Sequence, residues 1–91
     1  MKHIVAICGA GVGTSAILTV NAERALQKLG IAARVTASDV ANVQNAAANA
    51  QVILTSPELV SHIGRTFADI VVIENYFDVA EIERKLDEAL G

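Results

Sequence analysis

Residues 3–15 read HIVAICGAGVGTS, and this stretch decides the fold. The run that ends at Cys8 is continuously apolar, which is typical of a β-strand covered on both faces. Alternating glycines follow, and helical spacing begins at Thr14 or Ser15. The apolar stripe of this helix consists of Leu18, Ala22, Leu26 and Leu29. The sequence therefore predicts a buried strand, a glycine-rich loop and an amphipathic helix in succession.

The rest of the chain repeats this alternation of strand and helix. Residues 33–37, 51–55 and 69–73 are predicted strands, and Arg34 and Thr36 favour a position near the sheet edge for the first of them. Short or amphipathic helices are predicted after each strand. Their inward residues are Val40, Val43, Ala47 and Ala50 in the second helix, and Val79, Ile82, Leu86 and Ala89 in the last.

Capping and turn residues set the helix boundaries. Gly30 and Gly64 are predicted to end the first and third helices. Pro57 is tolerated at a first helical position and predicts the start of the third helix. The N-caps of the second and last helices are predicted at Ser38 or Asp39 and at Asp78, where Glu81 completes a capping-box-like start.

Four strand–helix units predict an α/β fold, a four-stranded parallel sheet with helices on both faces. The most apolar strands, the first and third, are expected at the centre, which gives the order 2-1-3-4. Ligands of such sheets bind beyond the carboxyl ends of the strands at the point where the order reverses. This point lies between the first and third strands, where Cys8 and the loop after it are expected. Residues 1–91 are predicted to form a single domain.

Composition narrows the functional classes. The chain has 91 residues, of which 53% are apolar, and one cysteine, so an internal disulfide is impossible. The lone thiol and the absence of a signal-peptide pattern predict a cytoplasmic protein without membrane insertion. A net charge of −3 and only three aromatic residues argue against both duplex and single-strand nucleic-acid binding.

Residues 8–15, Cys-Gly-Ala-Gly-Val-Gly-Thr-Ser, carry the chemistry. Glycines let a ligand approach the main chain closely, and successive N–H groups in such a loop form an anion-binding concavity. The N-terminus of the following helix adds about half a positive charge. We expect this environment to bind phosphate and to stabilise the thiolate of Cys8. A nucleophile beside an anion cradle suggests phosphoryl transfer through cysteine.

Other known loop motifs match residues 8–15 less well. A dinucleotide fingerprint needs a third glycine at Thr14, a Walker loop needs a lysine that residues 8–24 lack, and a thioredoxin-like motif needs a second cysteine. A cysteine-dependent phosphatase has the pattern C-x5-R, but here Thr14 stands at the arginine position. The Asp-Pro acid of such enzymes is also missing, because Pro57 follows Ser56. Since thiolate is a good leaving group, carriage of phosphate needs no general acid, and the loop favours carriage over hydrolysis.

The loop, the strand before it and the helix after it resemble the IIB components of the bacterial sugar phosphotransferase system. The likeness is greatest to the small galactitol/ascorbate group, and nearest to the ascorbate type. Residues 50–56 (AQVILTS) and 68–75 (ADIVVIEN) are also similar to that type. The resemblance implies a Rossmann-like fold related to low-molecular-weight tyrosine phosphatases.

The resemblance also implies a role for each loop residue. Cys8 matches the cysteine that accepts phosphate from a histidine of the IIA component and passes it to a sugar, sugar acid or polyol carried by the IIC permease. This activity is that of a protein-phosphocysteine–sugar phosphotransferase, with no cofactor and no metal. The phosphate-binding loop comprises Gly9, Ala10, Gly11, Val12, Gly13, Thr14 and Ser15. A low-molecular-weight phosphatase-like hydrolase and a regulatory IIB-like binding module are the alternative functions.

Thr55 and Ser56 are possible accessory residues. They end the third predicted strand, next to the Cys8 loop, and can either contact the phosphate or cap the third helix. His3 is expected at the opposite end of the sheet, and His62 on an exposed part of the short third helix. Neither histidine is therefore expected to carry the phosphate.

Overall fold

Four parallel strands form the sheet of this computed structural model, which describes residues 2–7 and 12–90, with no side-chain detail for 12–15. Both central strands pair through most of their length, and the order is β2-β1-β3-β4, which confirms the predicted topology. The strands are β1 (Lys2–Ile7), β2 (Ala33–Ser38), β3 (Val52–Thr55) and β4 (Asp69–Val72).

The helices lie on both faces of this sheet. The longer ones, α1 and α4, pack against each other on one face, and the single-turn helices α2 and α3 cover the other. A 3₁₀ turn leads into each short helix, over Val40–Asn42 and over Pro57–Leu59. Within the described ranges, no helix has the length and hydropathy that a bilayer span requires. The helices are α1 (Val12–Leu29), α2 (Val43–Ala46), α3 (Val60–Ile63) and α4 (Val79–Leu90).

The first helix begins earlier than its apolar stripe indicates. The stripe predicted a start at Thr14 or Ser15, but α1 begins at Val12 and runs for 18 residues. Periodicity detects a helix only from the first residues of its apolar stripe, so it gave no signal for a start before Thr14. Gly13 therefore belongs to the first turn of α1 rather than to the loop before it.

The second helix is shorter than predicted. Its expected stripe ran to Ala50, but only a 3₁₀ turn and the single turn of α2 form before the chain turns at 47–49. Asparagine side chains compete for backbone hydrogen bonds, and this segment contains Asn42, Asn45 and Asn49. The predicted inward face is retained, because Val43 and Ala47 are buried against the sheet.

Both central strands are buried on their two faces, as their unbroken apolar runs predicted. Alternate residues of each strand enter different core clusters. The cluster under α1 and α4 is built around Ile4, Ala6, Val52, Leu54, Leu18, Ala22, Ile82 and Leu86. The cluster under α2 and α3 is built around Val5, Ile7, Ile53, Val43, Ala47 and Ile63.

Gly30 ends α1, as predicted, and the turn that it forms is a Schellman motif. Its φ of +71° lies in the left-handed region, its amide donates to the carbonyl of Gln27 at 3.2 Å, and the Ile31 amide donates to Leu26 at 3.1 Å. Ile31 then packs against the same core cluster as Leu26. The turn thereby directs the chain from α1 into β2, beside β1.

We predict that Gly30→Ala destabilises the fold by about 1 kcal/mol, because an L side chain is strained at this φ. A Cβ at this position would meet no other atom within 4 Å, so backbone strain alone sets the loss. Urea denaturation measures the change, and Gly30→Asn serves as the control with a smaller expected loss. Equal stability of Gly30→Ala and the wild type would contradict this account of the turn.

Candidate functional site at the carboxyl edge of the sheet

All four strands end at one edge, called here the carboxyl edge. There Ser38 pairs with Ile7, and Thr55 pairs with Val72. The last pair between β1 and β3 joins Ala6 to Leu54, so the next residues, Ile7 and Thr55, lie side by side. The chain continues from Ile7 into the predicted glycine loop. The carboxyl edge between β1 and β3 is thus where the loop leaves the sheet.

The predicted loop is described only in its second half. Cys8, Gly9, Ala10 and Gly11 lie outside the described residues. Residues 12–15 form the first turn of α1, which starts four residues after Cys8 along the chain. A helix of this length presents a full set of unpaired N–H groups and a partial positive charge at its start. The backbone at this position can therefore bind an anion.

Thr55 is the accessory residue that lies nearest to the end of β1. Its side chain is fully buried, and its Oγ1 has no hydrogen-bond partner in the part of the chain that the structure describes. Its main chain is paired, since its carbonyl accepts the amide of Ile73 at 2.8 Å. An unsatisfied buried hydroxyl costs about 1–3 kcal/mol, whereas a valine of the same shape would carry no such cost.

Ser56 occupies the N-cap position of the 3₁₀ turn over Pro57–Leu59, but its side chain makes no capping hydrogen bond. Helix capping, the structural alternative to phosphate contact, therefore explains neither hydroxyl: Thr55 lies within β3, and Ser56 does not cap. At the end of β2, by contrast, Asp39 does cap the next turn, because its carboxylate accepts the amide of Asn42 at 2.9 Å. Capping at Asp39 agrees with the prediction from sequence.

The loop after β4 is held in place by Glu81, a buried residue of α4. Its carboxylate accepts the amides of Glu74 at 2.9 Å and Asn75 at 3.0 Å, and forms a 2.7 Å ion pair with Lys85. Lys85 also donates to the carbonyl of Val72 at 2.6 Å. This network ties the end of β4 to α4 and fixes one side of the carboxyl edge.

The network only partly follows the predicted capping box. Asp78 caps α4 by accepting the amide of Glu81 at 3.1 Å, as predicted. The carboxylate of Glu81, however, reaches back to the amides of residues 74 and 75 instead of to the cap residue. On the other side of the loop, the side-chain amide of Asn21 in α1 donates to the carbonyl of Tyr76 at 2.7 Å. Sequence spacing alone gave no signal for either contact, because both partners come from loop backbone.

Glu81 has a pKa below its ordinary value. Burial raises the pKa of this carboxyl, but the hydrogen bond from Lys85 and the bonds from the two loop amides outweigh that effect. These bonds stabilise the charged form in the folded state only. Their contribution to stability is fully present above the unfolded pKa near 4.5, and it is lost as the pH falls through the lower folded pKa.

We predict that Glu81→Gln destabilises the protein by about 1–3 kcal/mol at pH 7, because charge-assisted bonds to the loop are lost. Below pH 4.5 the difference from the wild type should shrink, because Glu81 is protonated first in the unfolded chain and, at still lower pH, in the folded protein. Urea denaturation across this pH range measures the effect, with Glu88→Gln on the exposed part of α4 as the matched control. A loss independent of pH would mean that the charge of Glu81 is not what holds the loop.

The histidines lie where the sequence predicted. His3 is in the first half of β1, and its Nε2 is 2.9 Å from the hydroxyl of Thr36. Burial and the nearby charge of Arg34 lower the pKa of His3, which favours its neutral form. His62 is exposed on α3. Because His3 belongs to the end of the sheet opposite the carboxyl edge, it is remote from the loop.

Charges are distributed unevenly between the two ends of the sheet. Exposed carboxylates follow each of the outer strands and β3, namely Asp39, Glu58, Glu74 and Asp78. The opposite edge carries charges of both signs, with the basic residues Lys2, Lys28, Arg34 and Arg65 beside the acidic residues Asp69, Asp87 and Glu88. Lys85 does reach the carboxyl edge, but Glu81 neutralises it. Among the described residues, anion binding at this edge therefore depends on backbone amides and hydroxyls.

A groove of about 710 Å³ lies elsewhere, between α2 and the loop before β4. Ile53 and Ile70 line it, and the exposed ring of Phe67 lies beside them. Neither Thr55 nor Ser56 lines this groove. Despite its size, we therefore do not take this groove as the candidate functional site, because the hydroxyl groups of Thr55 and Ser56 lie at the carboxyl edge.

Comparison with known proteins places the chain among sugar-transport proteins. A family model described as "PTS system, Lactose/Cellobiose specific IIB subunit" matches residues 3–88. The ascorbate-specific PTS system EIIB component of Mycoplasma pneumoniae is 33% identical over 89 residues, which cover 97% of this chain and 94% of that protein.

Solved structures agree on the fold. The lactose-specific IIB component domain from Streptococcus pneumoniae superposes with a TM-score of 0.64 at 17% identity, covering 98% of this chain and 90% of that one. A domain of the fructose-specific IIABC component from Borrelia burgdorferi gives a TM-score of 0.53 at 18% identity, covering 97% and 92%. At such low identity the likeness concerns the arrangement of strands and helices.

Proposed function

The chain belongs to the lactose/cellobiose-specific IIB family of the sugar phosphotransferase system, and we propose that Cys8 is the residue on which this phosphocarrier subunit holds its phosphate. The observation that carries the proposal is the position of Cys8 in the chain. It directly follows Ile7 at the carboxyl end of a central strand and precedes the N-terminus of α1 by four residues. That position places a nucleophile four residues before a helix N-terminus, where a phosphate can bind.

The proposed reaction has two transfers. The Cys8 thiolate attacks the phosphorus of a phosphohistidine on a IIA protein, so that a P–S bond forms and the P–N electron pair leaves on the imidazole. A sugar hydroxyl bound to the IIC permease then attacks the phosphorus. The P–S electron pair returns to Cys8, and the hydroxyl proton goes to a base of the permease. This is protein-phosphocysteine–sugar phosphotransferase activity, and the thiolate leaves without a general acid.

The residues of the loop have the role of positioning the phosphoryl group. Backbone amides of residues 9–15 and the partial charge of α1 would bind its oxygens, and Thr14 and Ser15 can add hydroxyl donors. The acidic residues around the carboxyl edge weaken the hold on a dianion. A moderate affinity for phosphate suits a carrier, because the phosphate must leave as readily as it arrives.

The partners and location follow from the same proposal. We assign a IIA phosphodonor and a IIC permease as partners, in the cytoplasm where both can reach the chain. The ascorbate-specific relative supports a system of the ascorbate type, with a sugar acid as the transported compound. Contacts of the sugar lie on the permease, so the IIB chain itself supplies only the phosphate.

We predict that intact mass rises by one phosphate when the pure protein is incubated with phosphoenolpyruvate and bacterial extract. Cys8→Ser should stay unmodified, because the chain has no other cysteine. His3→Gln and His62→Gln serve as controls and should accept the phosphate as the wild type does. Phosphate on Cys8→Ser, or its loss in either histidine variant, would contradict the assignment. Turnover of an aryl phosphate would favour the hydrolase alternative.

Phe77 is suited to contact a partner protein. It lies in the loop after β4, at the carboxyl edge, and 72% of its surface is exposed. Its amide donates to the side chain of Asn75 at 3.0 Å, within the loop that Glu81 holds. A rigidly presented exposed aromatic is a favourable anchor for binding. Glu74 and Asp78 flank it, which complements a basic partner surface.

We predict that Phe77→Ser slows phosphorylation of Cys8 about tenfold, the effect of losing one aromatic anchor, and leaves the urea midpoint unchanged. Phe67→Ser is the matched control, because Phe67 is fully exposed but lies before β4, at the opposite edge. The rate is measured by intact mass at early times. Equal rates for both variants would remove Phe77 from the docking surface.

A further inference from the structure

The unpaired hydroxyl of Thr55 needs a physical explanation. Thr55 is completely buried, and its Oγ1 is the buried side-chain polar atom that lacks a partner within residues 2–7 and 12–90. Valine fits a buried strand equally well and avoids the penalty of an unpaired hydroxyl. Within the described residues neither a side chain nor the backbone pairs with this hydroxyl, so it is available to a ligand.

The position of Thr55 identifies that ligand. Side chains of successive strand residues alternate between faces, and Ile53 lies in the cluster under α2 and α3, so Thr55 faces the same side. Ile7, beside it in β1, belongs to that cluster too. The next residue of the chain is Cys8. The strand residue beside the unpaired hydroxyl therefore directly precedes the proposed phosphorylation site in the sequence.

We propose that Thr55 is a positioning residue whose hydroxyl is kept unpaired in the resting protein and donates its hydrogen bond to the phosphoryl group on Cys8. The inference rests on the proposed function, and it adds a state-dependent contact to it. A hydroxyl is a neutral donor, so it binds a phosphoryl oxygen without the long-range attraction that a lysine or arginine would add. The unpaired hydroxyl destabilises the resting protein, and its hydrogen bond stabilises the phosphorylated protein. Both effects therefore favour phosphorylation.

The chain offers a matched comparison for this claim. Thr36 lies in the edge strand β2, which β1 separates from β3, and its hydroxyl is 2.9 Å from Nε2 of His3. Thr36→Val removes a paired hydroxyl two residues before the end of β2, whereas Thr55→Val removes an unpaired one at the end of β3, beside Ile7. The first variant should lose resting stability and keep normal phosphorylation. Thr55→Val should keep its resting stability and be phosphorylated less than the wild type. Thr55→Ser retains the hydroxyl and should behave as the wild type does.

Competition in one reaction tests the inference without a purified donor. Wild-type protein labelled with ¹⁵N and unlabelled Thr55→Val are mixed with phosphoenolpyruvate and bacterial extract, and both share the same phosphodonor pool. Intact mass gives the phosphorylated fraction of each at equilibrium. We expect the ratio of phosphorylated to free protein to be about tenfold lower for Thr55→Val, the loss of one hydrogen bond to a charged group. The urea midpoint of unphosphorylated Thr55→Val should equal or exceed that of the wild type.

Two outcomes would overturn the inference. One is an equal phosphorylation ratio for wild type and Thr55→Val, and the other is a resting variant that is as destabilised as Thr36→Val or fails to fold. Either result would show that the Thr55 hydroxyl is not a donor reserved for the phosphate. The proposed function would fail in a different way, because the wild-type protein itself would then remain unphosphorylated.

Discussion

The parallel pairing of β1 with β3 is the constraint on which the rest of the structure depends. Both strands are covered on both faces, and only a continuous apolar sequence can occupy such a position. The pairing aligns the ends of the two strands, so Ile7 and Thr55 become neighbours although 48 residues separate them in the numbering. The helix after β1 must start at the same edge. The buried backbone hydrogen bonds between β1 and β3 thus bring together the end of a strand, a helix N-terminus and a buried hydroxyl.

The electrostatics of the carboxyl edge suit a carrier better than a hydrolase. A hydrolase holds its dianion with a charged group and activates water, but the described residues of this edge provide amides, hydroxyls and exposed carboxylates. Lys85 is already committed to Glu81 and to the carbonyl of Val72. Under the proposed function, positive side-chain charge comes from a docked partner, which makes transfer conditional on the encounter. Membership of the IIB family agrees with such a role, since these chains are phosphocarrier subunits of sugar transport.

Sequence reasoning predicted the order of the strands, the end of α1 at Gly30 and the Asp78 cap, because each depends on local chemistry or on burial along one element. It placed the start of α1 too late and made the second helix too long, since periodicity registers neither helical residues that precede the apolar stripe nor the effect of interspersed asparagines. It also assigned Glu81 only to a cap. The contacts of Glu81 with loop amides, and the unpaired state of Thr55, depend on distances between elements, which no single segment encodes.

The central claim is that phosphate is received at the carboxyl edge between β1 and β3, and amide chemical shifts test it most directly. A ¹⁵N–¹H correlation spectrum of the phosphorylated protein should be compared with that of the resting protein. We expect the largest changes at Ile7, at residues 12–15 and at Ser56. Little change is expected at the edge of the sheet opposite the carboxyl edge, where the Gln51 amide donates to the carbonyl of His3. Changes centred on His3 or His62, with the carboxyl edge unaltered, would contradict it.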